Sequence, residues 1–461
     1  MYNAAHRRLK ALAGLVPIAM LTVPTAAEAR GGGGSSGFGG GGGGFGGGGG
    51  GFRGGFGGGI GGLGGGIGHG VHLGSGFAIG LVVIIVVVAL VVLVAGLVAR
   101  ARYAARRRQR AAAVHLAAIE AAEDDPDFAP ELVRTAAEGL FTGVQVAWSA
   151  GDRAALRRLC GPELMHEWGR RLDDFERRGW SNQVAVLGSV GVEYIGLTNR
   201  TADRDDRAVV RLTAQLRDFV VDRSGAVVMR RDTRSDTTRV CEYWTLGKPA
   251  GRWIVLSIEQ RAEGDHQLSE PVVPTPWSDT ERLTEASLVE QAVATKLPDG
   301  VAASEVAAAE FTGAARTAAL DLALVDGRFS PDVLGAEVSR TVTAWADAVD
   351  GDDTDLRRLA SPGVVSELLH PGDPTEQTRL VIRGPAIEQI QISDLNAQTA
   401  PPTITVELRV RGRRYIEDRD TAAILQGSQS SATRFGLRWT LALEASDDEH
   451  PWRIVQTASN P

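Results

Sequence analysis

The sequence predicts an α+β protein in which one transmembrane helix is followed by two tandem domains, each with helices packed on a curved antiparallel sheet. Three observations carry this expectation. An uncharged apolar run extends from Phe77 to Ala99, a set of sequence blocks occurs twice about 200 residues apart, and each copy changes from helical to alternating periodicity along its length.

The apolar run comes first. Its 23 residues would span about 35 Å as a helix, enough to cross a hydrocarbon core of about 30 Å with some tilt. Gly80 and Gly96 are tolerated in such a span. Arg100, Arg102, Arg106, Arg107, Arg108 and Arg110 follow directly, whereas the tract between residue 30 and the span carries only Arg30 and Arg53. Cationic flanks stay on the cytoplasmic side, so residues after 100 are expected in the cytoplasm. The same six arginines are the candidate contacts to anionic lipid. Residues 1–29 have the pattern of an export signal: Arg7, Arg8 and Lys10, an apolar stretch from Leu12 to Val23, and Ala27-Glu28-Ala29 as a small-x-small site. Residues 30–76 form a glycine-rich segment, with 29 glycines among the 40 residues from Gly31 to Gly70. Isolated Phe38, Phe45, Phe52 and Phe56 cannot bury enough apolar surface to offset its backbone entropy, so it is expected to be disordered outside the cell membrane.

The formal net charge of -7 conceals a split. Residues 111–461 hold 38 basic and 55 acidic side chains. That balance opposes general nucleic-acid binding, which requires neutralisation of phosphates. Cys160 and Cys241 form no disulfide framework and are expected as reduced thiols.

The duplication organises the rest. Phe128-Ala129-Pro130-Glu131-Leu132 returns as Phe329-Ser330-Pro331-Asp332-Val333, and Gly151-Asp152 with Leu156-Arg157-Arg158-Leu159 returns as Gly351-Asp352 with Leu356-Arg357-Arg358-Leu359. Arg239, Trp244, Thr245 and Leu246 match Arg434, Trp439, Thr440 and Leu441 at identical spacing, and Trp253 and Trp452 follow. In the first block, proline suits the first helical turn and the carboxylate meets the positive helix end. The helix it opens carries Leu140, Val144 and Trp148. Gly-Asp stops that helix, and Asp152 or Asp352 is placed to cap the next. Gly161-Pro162 opens a third helix with Met165, Trp168 and Leu172. Alternation then takes over at Val210, Leu212, Ala214 and Leu216, and again at Ile404, Val406, Leu408 and Val410, marking strands with one buried face. The expected domains are 111–262 and 305–461, with 100–110 a basic juxtamembrane segment and 263–304 a linker with a short helix.

The whole order resembles bacterial proteins related to subunit forty-four of the mitochondrial inner-membrane translocase. Phe128, Pro130, Gln145, Ala147, Trp148, Ser149, Gly151, Asp152, Leu156 and Leu159 carry the resemblance. It covers residues 110–262 well, and the second copy departs from it in its tryptophan position. The resemblance implies a cone-shaped domain, similar to nuclear-transport-factor-two-like folds, with an apolar cavity. It also implies a scaffold at a membrane that binds anionic lipid and a protein partner, here at the bacterial cytoplasmic membrane.

Candidate chemistry is sparse. His166-Glu167 begins like a zinc-protease helix, but Arg170 stands where the second histidine is needed. Asp350-Gly351-Asp352-Asp353-Thr354-Asp355 lacks the glycine and closing glutamate of a calcium loop. No metal and no cofactor is expected. Alignment of the copies puts Glu242 where Leu437 stands, on the strand face shared with Val240, Trp244 and Leu246. An inward carboxylate on an apolar wall requires a partner. Glu242, Trp244 and Trp148 are therefore the candidate ligand-binding residues. The leading expectation is a non-enzymatic membrane-tethered scaffold or ligand-binding protein. Its competitors are a cone-fold enzyme using Glu242 or Asp173 as base, and an envelope structural protein acting through its glycine tract.

The orientation has a direct test. A reporter fused after Pro461 is expected to show a cytoplasmic phenotype, and moving the six arginines to the other flank of the span is expected to weaken that orientation. An extracytoplasmic signal would refute it.

Overall fold

The computed structural model describes residues 75–230, 237–297, 315–444 and 447–460. The expected export signal and the glycine tract up to residue 74 lie outside the described residues. The apolar run, the basic segment and the first part of the first domain are one helix, α1 (Ser75–Asp124), of 50 residues. At 1.5 Å per residue it is about 75 Å long. Among the described residues it is the one helix long and apolar enough to cross a membrane. Its described apolar side chains, Val83, Ile84 and those from Val86 to Val98, are exposed, whereas Val114, Ala118 and Ala121 are fully buried in the first domain.

The first domain continues with α2 (Pro130–Ser149), α3 (Arg153–Leu159) and α4 (Pro162–Arg178). Pro130 and Pro162 occupy the first turns as expected, and Asp152 accepts the Ala155 N–H at 2.9 Å to cap α3. Five strands follow: β1 (Trp180–Thr198), β2 (Arg207–Asp222), β3 (Val227–Arg230), β4 (Thr237–Gly247) and β5 (Ile254–Gln260). They form an antiparallel sheet of order β1-β2-β4-β5, with β3 an extra hairpin arm on β2. Phe141, Trp148, Trp168, Trp244 and Ile258 fill the space between helices and sheet.

The second domain repeats the plan. After α5 (Thr280–Ala294) and α6 (Ala315–Ala323) come α7 (Pro331–Asp347), α8 (Thr354–Leu359) and α9 (Pro362–Leu369). The strands β6 (Thr378–Asn396), β7 (Thr403–Asp418), β8 (Ile424–Leu443) and β9 (Trp452–Asn460) form an antiparallel sheet in chain order. The interval read as linker holds more structure than expected. Val289 and Ala292 of α5 are buried with the second core, and Glu263 is wholly enclosed. In the second copy Asp352 bonds the Thr354 N–H while Asp353 occupies the cap position without a side-chain bond, so the capping foreseen for Asp352 is realised only as a local turn.

The equivalence of the copies reaches to single interactions. Phe128 meets Trp253 edge-on at 5.4 Å, and Phe329 meets Trp452 edge-on at 5.3 Å. Each tryptophan donates its indole N–H to the residue before that phenylalanine, Trp253 to Asp127 O at 3.2 Å and Trp452 to Arg328 O at 2.7 Å. Cys160 bridges Val255 in parallel, and Ala360 bridges Ile454. These contacts tie the first and last elements of each domain together.

Trp244 and Trp439 are both fully buried at matching positions. Truncating either to alanine is expected to cost about 3–5 kcal/mol by cavity formation. Denaturant titration of the full chain in detergent checks this, and unchanged midpoints would show that neither ring is a packing anchor.

Candidate functional site

The wall predicted in the first domain exists, and it is divided. On β4 the side chains of Val240, Glu242, Trp244 and Leu246 all turn inward, so Glu242 is 4% exposed and not solvated. The partner it requires is its neighbour on the same strand face: Trp244 Nε1 donates to Glu242 Oε2 at 3.0 Å. Trp244 in turn packs on Phe141, with ring centroids 5.3 Å apart. Trp148 belongs to a different group. Its Nε1 donates to Asn182 Oδ1 at 3.0 Å, Asn182 Nδ2 donates to Asp218 Oδ1 at 2.8 Å, and its ring meets Trp168 edge-on at 5.3 Å. The interior is thus lined by aromatic rings whose polar edges are bonded to buried acceptors. Gln145 of α2 is 1% exposed, and neither amide atom has a hydrogen-bond partner among the described residues. In the second copy Leu437 replaces Glu242, and Trp439 Nε1 lacks a hydrogen-bond partner there among the described residues.

The juxtamembrane arginines have two roles by position. Arg100, Arg102 and Arg108 are exposed, as is Arg106, which nevertheless bonds the first domain's neighbouring segment, donating to Ser269 Oγ at 3.1 Å. The other two turn onto the first domain: Arg107 pairs with Glu193 at 2.8 Å, and Arg110 Nε donates to Ile195 O at 2.6 Å. Tyr103 and Tyr243 share a hydroxyl hydrogen bond of 2.6 Å. The helix emerging from the span is therefore clamped to the outer face of the first sheet within about three turns of Arg100.

The largest polar assembly lies between the domains and was missed by sequence reasoning. On α4, Glu167 and Arg171 are buried one turn apart. Arg419 grips Glu167, with Nε at 3.0 Å and a terminal nitrogen at 2.5 Å, and Arg379 approaches it at 3.2 Å. Arg171 faces Glu417 at 4.0 Å. A second cluster centres on Arg383, which donates to Glu263 at 3.0 Å, binds both oxygens of Asp350, and lies 3.9 Å from Glu259. Tyr415 donates its hydroxyl to Glu263 at 2.5 Å, and Ser257 donates to Asp350 at 2.7 Å. His266 bridges Glu259 and Glu270 at 2.9 and 3.0 Å. Gly384 passes this point at φ 51°, and a Cβ there would lie 2.4 Å from the His266 Cβ, so the close approach of the two domains requires glycine. The signal available in the sequence was Glu167 and Arg171 at helical spacing among Leu164, Trp168 and Phe175.

Electrostatics differ across this seam. Burial penalises the Glu167 carboxylate, but Arg379 and Arg419 outweigh it and hold the group at about 2. Burial likewise opposes a charged His266, yet Glu259 and Glu270 raise it to about 9. At Glu417 burial wins over Arg171 and Arg379 and pushes the carboxyl up to about 7.

Other candidates are committed elsewhere. Asp125, Asp203 and Asp206 could converge on a metal, but the Lys248 ammonium sits among them, bonded to Asp125 and 3.7 Å from Asp206. In the second copy Asp326 has its charge balanced by Arg328, with Nε at 3.0 Å. Asp173 is exposed and paired with Arg153 at 2.5 Å, and His166 is exposed.

Comparison with known proteins agrees with the architecture. The Tim44-like domain family matches residues 114–260 and again 322–459, and the chain belongs to that family. Two solved structures resemble parts of it. The intermembrane space region of the chloroplast protein ARC6 matches with 15% identity and a TM-score of 0.22, covering 28% of this chain and 94% of that one. An Ntf2-like protein involved in plasmid conjugation matches with 9% identity and a TM-score of 0.17, covering 68% of this chain and 93% of that one. No curated protein sequence matches.

The seam has a pH signature. Glu417 has its carboxyl raised from about 4.3 when unfolded to about 7, so its burial costs stability increasingly as pH rises through that window. Glu167 has the opposite sign: its contribution is present above about 4.3 and is lost as pH falls towards 2. His266 contributes below about 6.5 and loses that contribution as pH rises through 9. Glu417→Gln is therefore expected to raise the thermal midpoint of the full chain at about pH 8 and to leave it nearly unchanged at about pH 5, read by scanning calorimetry in detergent. An equal shift at both values would refute the assignment.

Proposed function

We propose that this chain is a membrane-tethered, non-enzymatic scaffold that presents its two Tim44-like domains as one block at the cytoplasmic face of a bacterial membrane and holds a protein partner there. The observation that carries the reading is mechanical continuity. One helix runs from the apolar span into the core of the first domain, and buried ion pairs bind that domain to the second. A flexible tether would let the domains tumble, whereas this arrangement holds their surfaces at a defined height and orientation.

The proposed role fits the chemistry of the interior. Glu242, the strongest candidate for a general base, has the Trp244 indole as a hydrogen-bond donor, and Asp173 is engaged by Arg153. Trp148, Trp168 and Trp244 occupy the first cone. This filling favours a partner on the outside over an apolar or lipid-like ligand lodged within. Arg100, Arg102 and Arg108 remain free to meet anionic headgroups, at about 1 kcal/mol each near the surface.

Affinity capture of the full chain from detergent-solubilised membranes, followed by mass spectrometry of proteins and lipids, tests the reading. A protein recovered in constant ratio is expected, and it should be lost when Arg383→Ala and Glu263→Ala loosen the seam. Recovery of a bound lipid with no protein in constant ratio would overturn it in favour of a ligand carrier.

A further inference from the structure

The two sheets can be compared residue by residue, because Leu212 stands opposite Glu242 in the first as Leu408 stands opposite Leu437 in the second. On the outer faces, Thr213, Gln215 and Tyr243 of the first sheet then correspond to Arg409, Arg411 and Arg438 of the second, and Arg239 corresponds to Arg434. Gln215 and Arg239 are exposed as their counterparts are, and the surroundings differ chiefly at the Tyr243 position. Tyr243 is 1% exposed, covered by Tyr103 and Leu268, because α1 and the turn after β5 lie on that face. Arg409, Arg411, Arg434 and Arg438 are all exposed.

The pairing of these arginines is unfavourable on its own. Arg411 lies directly opposite Arg434 in the β7–β8 register, so two cations stand about 5 Å apart at Cβ, an arrangement that destabilises a sheet. Arg409 and Arg411 are about 7 Å apart along β7 on the same face. Glu388 of β6 shows what such a face accepts. Its carboxylate takes two hydrogen bonds from Arg434 Nε, at 2.7 and 3.0 Å, and Arg411 and Arg409 help to hold it below the usual carboxylate range. Glu407 stands opposite Arg438 on the same face, so two carboxylates meet four arginines, which still leaves donors to spare on a domain whose overall charge is acidic.

We propose that the open outer face of the second sheet, built on Arg409, Arg411, Arg434 and Arg438, is a docking surface for an extended acidic polypeptide segment. Alternate carboxylates on an extended chain repeat every 7 Å or so, the spacing of arginines along β7. Guanidinium groups receive carboxylates through charge-assisted hydrogen bonds; here the Arg434 Nε–H is shared by both oxygens of Glu388, which leaves the terminal N–H groups of Arg434 for a second carboxylate. The aromatic side chains of this stretch, Phe435 and Trp439, turn to the inner face, so the outer face offers no stacking platform for nucleic-acid bases. The inference rests on the scaffold reading and names the chemistry of its partner.

The test uses the full chain in nanodiscs of neutral lipid and a fluorescent peptide alternating Glu and Ser, followed by anisotropy. Binding is expected at low salt, falling as salt rises. The triple variant Arg409→Glu, Arg411→Glu, Arg438→Glu should weaken it by at least about tenfold, with the circular dichroism spectrum unchanged. Replacement of the same three by Lys should retain most of the binding, and Arg100→Glu, Arg102→Glu, Arg108→Glu should leave it intact. Absence of wild-type binding, equal binding by the charge-reversed variant, or preferential binding of an oligouridylate or of anionic vesicles at this face would overturn the proposal. The captured partner separates the two readings: if it is retained equally by the charge-reversed variant, the docking face fails and the scaffold stands.

Discussion

The arrangement of the two domains depends on charges removed from water at the seam between them. Glu167, Arg171, Glu259, Glu263, Arg379, Arg383, Glu417 and Arg419 are each nearly inaccessible, and they come from α4, β5 and the turn after it on one side and from β6, β7 and the loop after it on the other. Desolvating so many ions costs several kcal/mol for each, and mutual attraction recovers this only when partners meet in good geometry. The seam therefore adds little net stability compared with an apolar interface, but it tolerates very few alternative placements. A rotation that parted Arg383 from Glu263, or Arg419 from Glu167, would leave unpaired charges buried, at about 3–5 kcal/mol for each broken pair. The result is registration of one cone against the other.

The duplication shows how the same backbone plan accommodates different electrostatic solutions. Both copies place an aspartate ahead of the phenylalanine that meets the closing tryptophan. The first balances Asp125 with Lys248 from the end of β4, and the second balances Asp326 with Arg328 two residues along the chain. The cation differs in origin because each copy needs only a positive group near that carboxylate. The interior follows the same logic. Glu242 satisfies the Trp244 indole, whereas Leu437 leaves the equivalent Trp439 position fully apolar apart from its indole N–H. The copies thus differ at an inner polar position and on the outer sheet face, while both keep the aromatic tie between the turn that precedes Pro130 or Pro331 and the last strand or its approach.

The membrane-proximal helix joins these features to a surface. Because α1 is continuous through Arg100–Arg110, its arginines are shared between solvent and the first domain, and the outer face of the first sheet is covered around Tyr243 by Tyr103, Arg107 and Arg110, while Gln215 and Arg239 stay exposed. The corresponding face of the second sheet has no such cover among the described residues and displays arginines. Two faces that share one ancestral geometry thus differ through what the chain lays over them.

The fold was legible in the sequence because it rests on local rules. Pro130 and Pro162 mark helix starts, Gly151-Asp152 marks a stop and a cap, and the alternation at Val210–Leu216 and Ile404–Val410 marks half-buried strands; each signal depends on neighbours within a few positions. The inward turn of Glu242 followed from strand parity for the same reason. What the sequence could not reveal is which charged residues meet across large separations. Glu167 and Arg419 are 252 residues apart, and Glu263 and Tyr415 are 152 apart. Glu263 and Arg419 read locally as ordinary solvated charges, and even Glu167, one turn from Arg171 on a partly apolar helix, carries no mark of its distant partner. Only tertiary packing decides that they are withdrawn from water, because burial at a domain interface depends on where two complete folds meet, and no local spacing encodes that meeting.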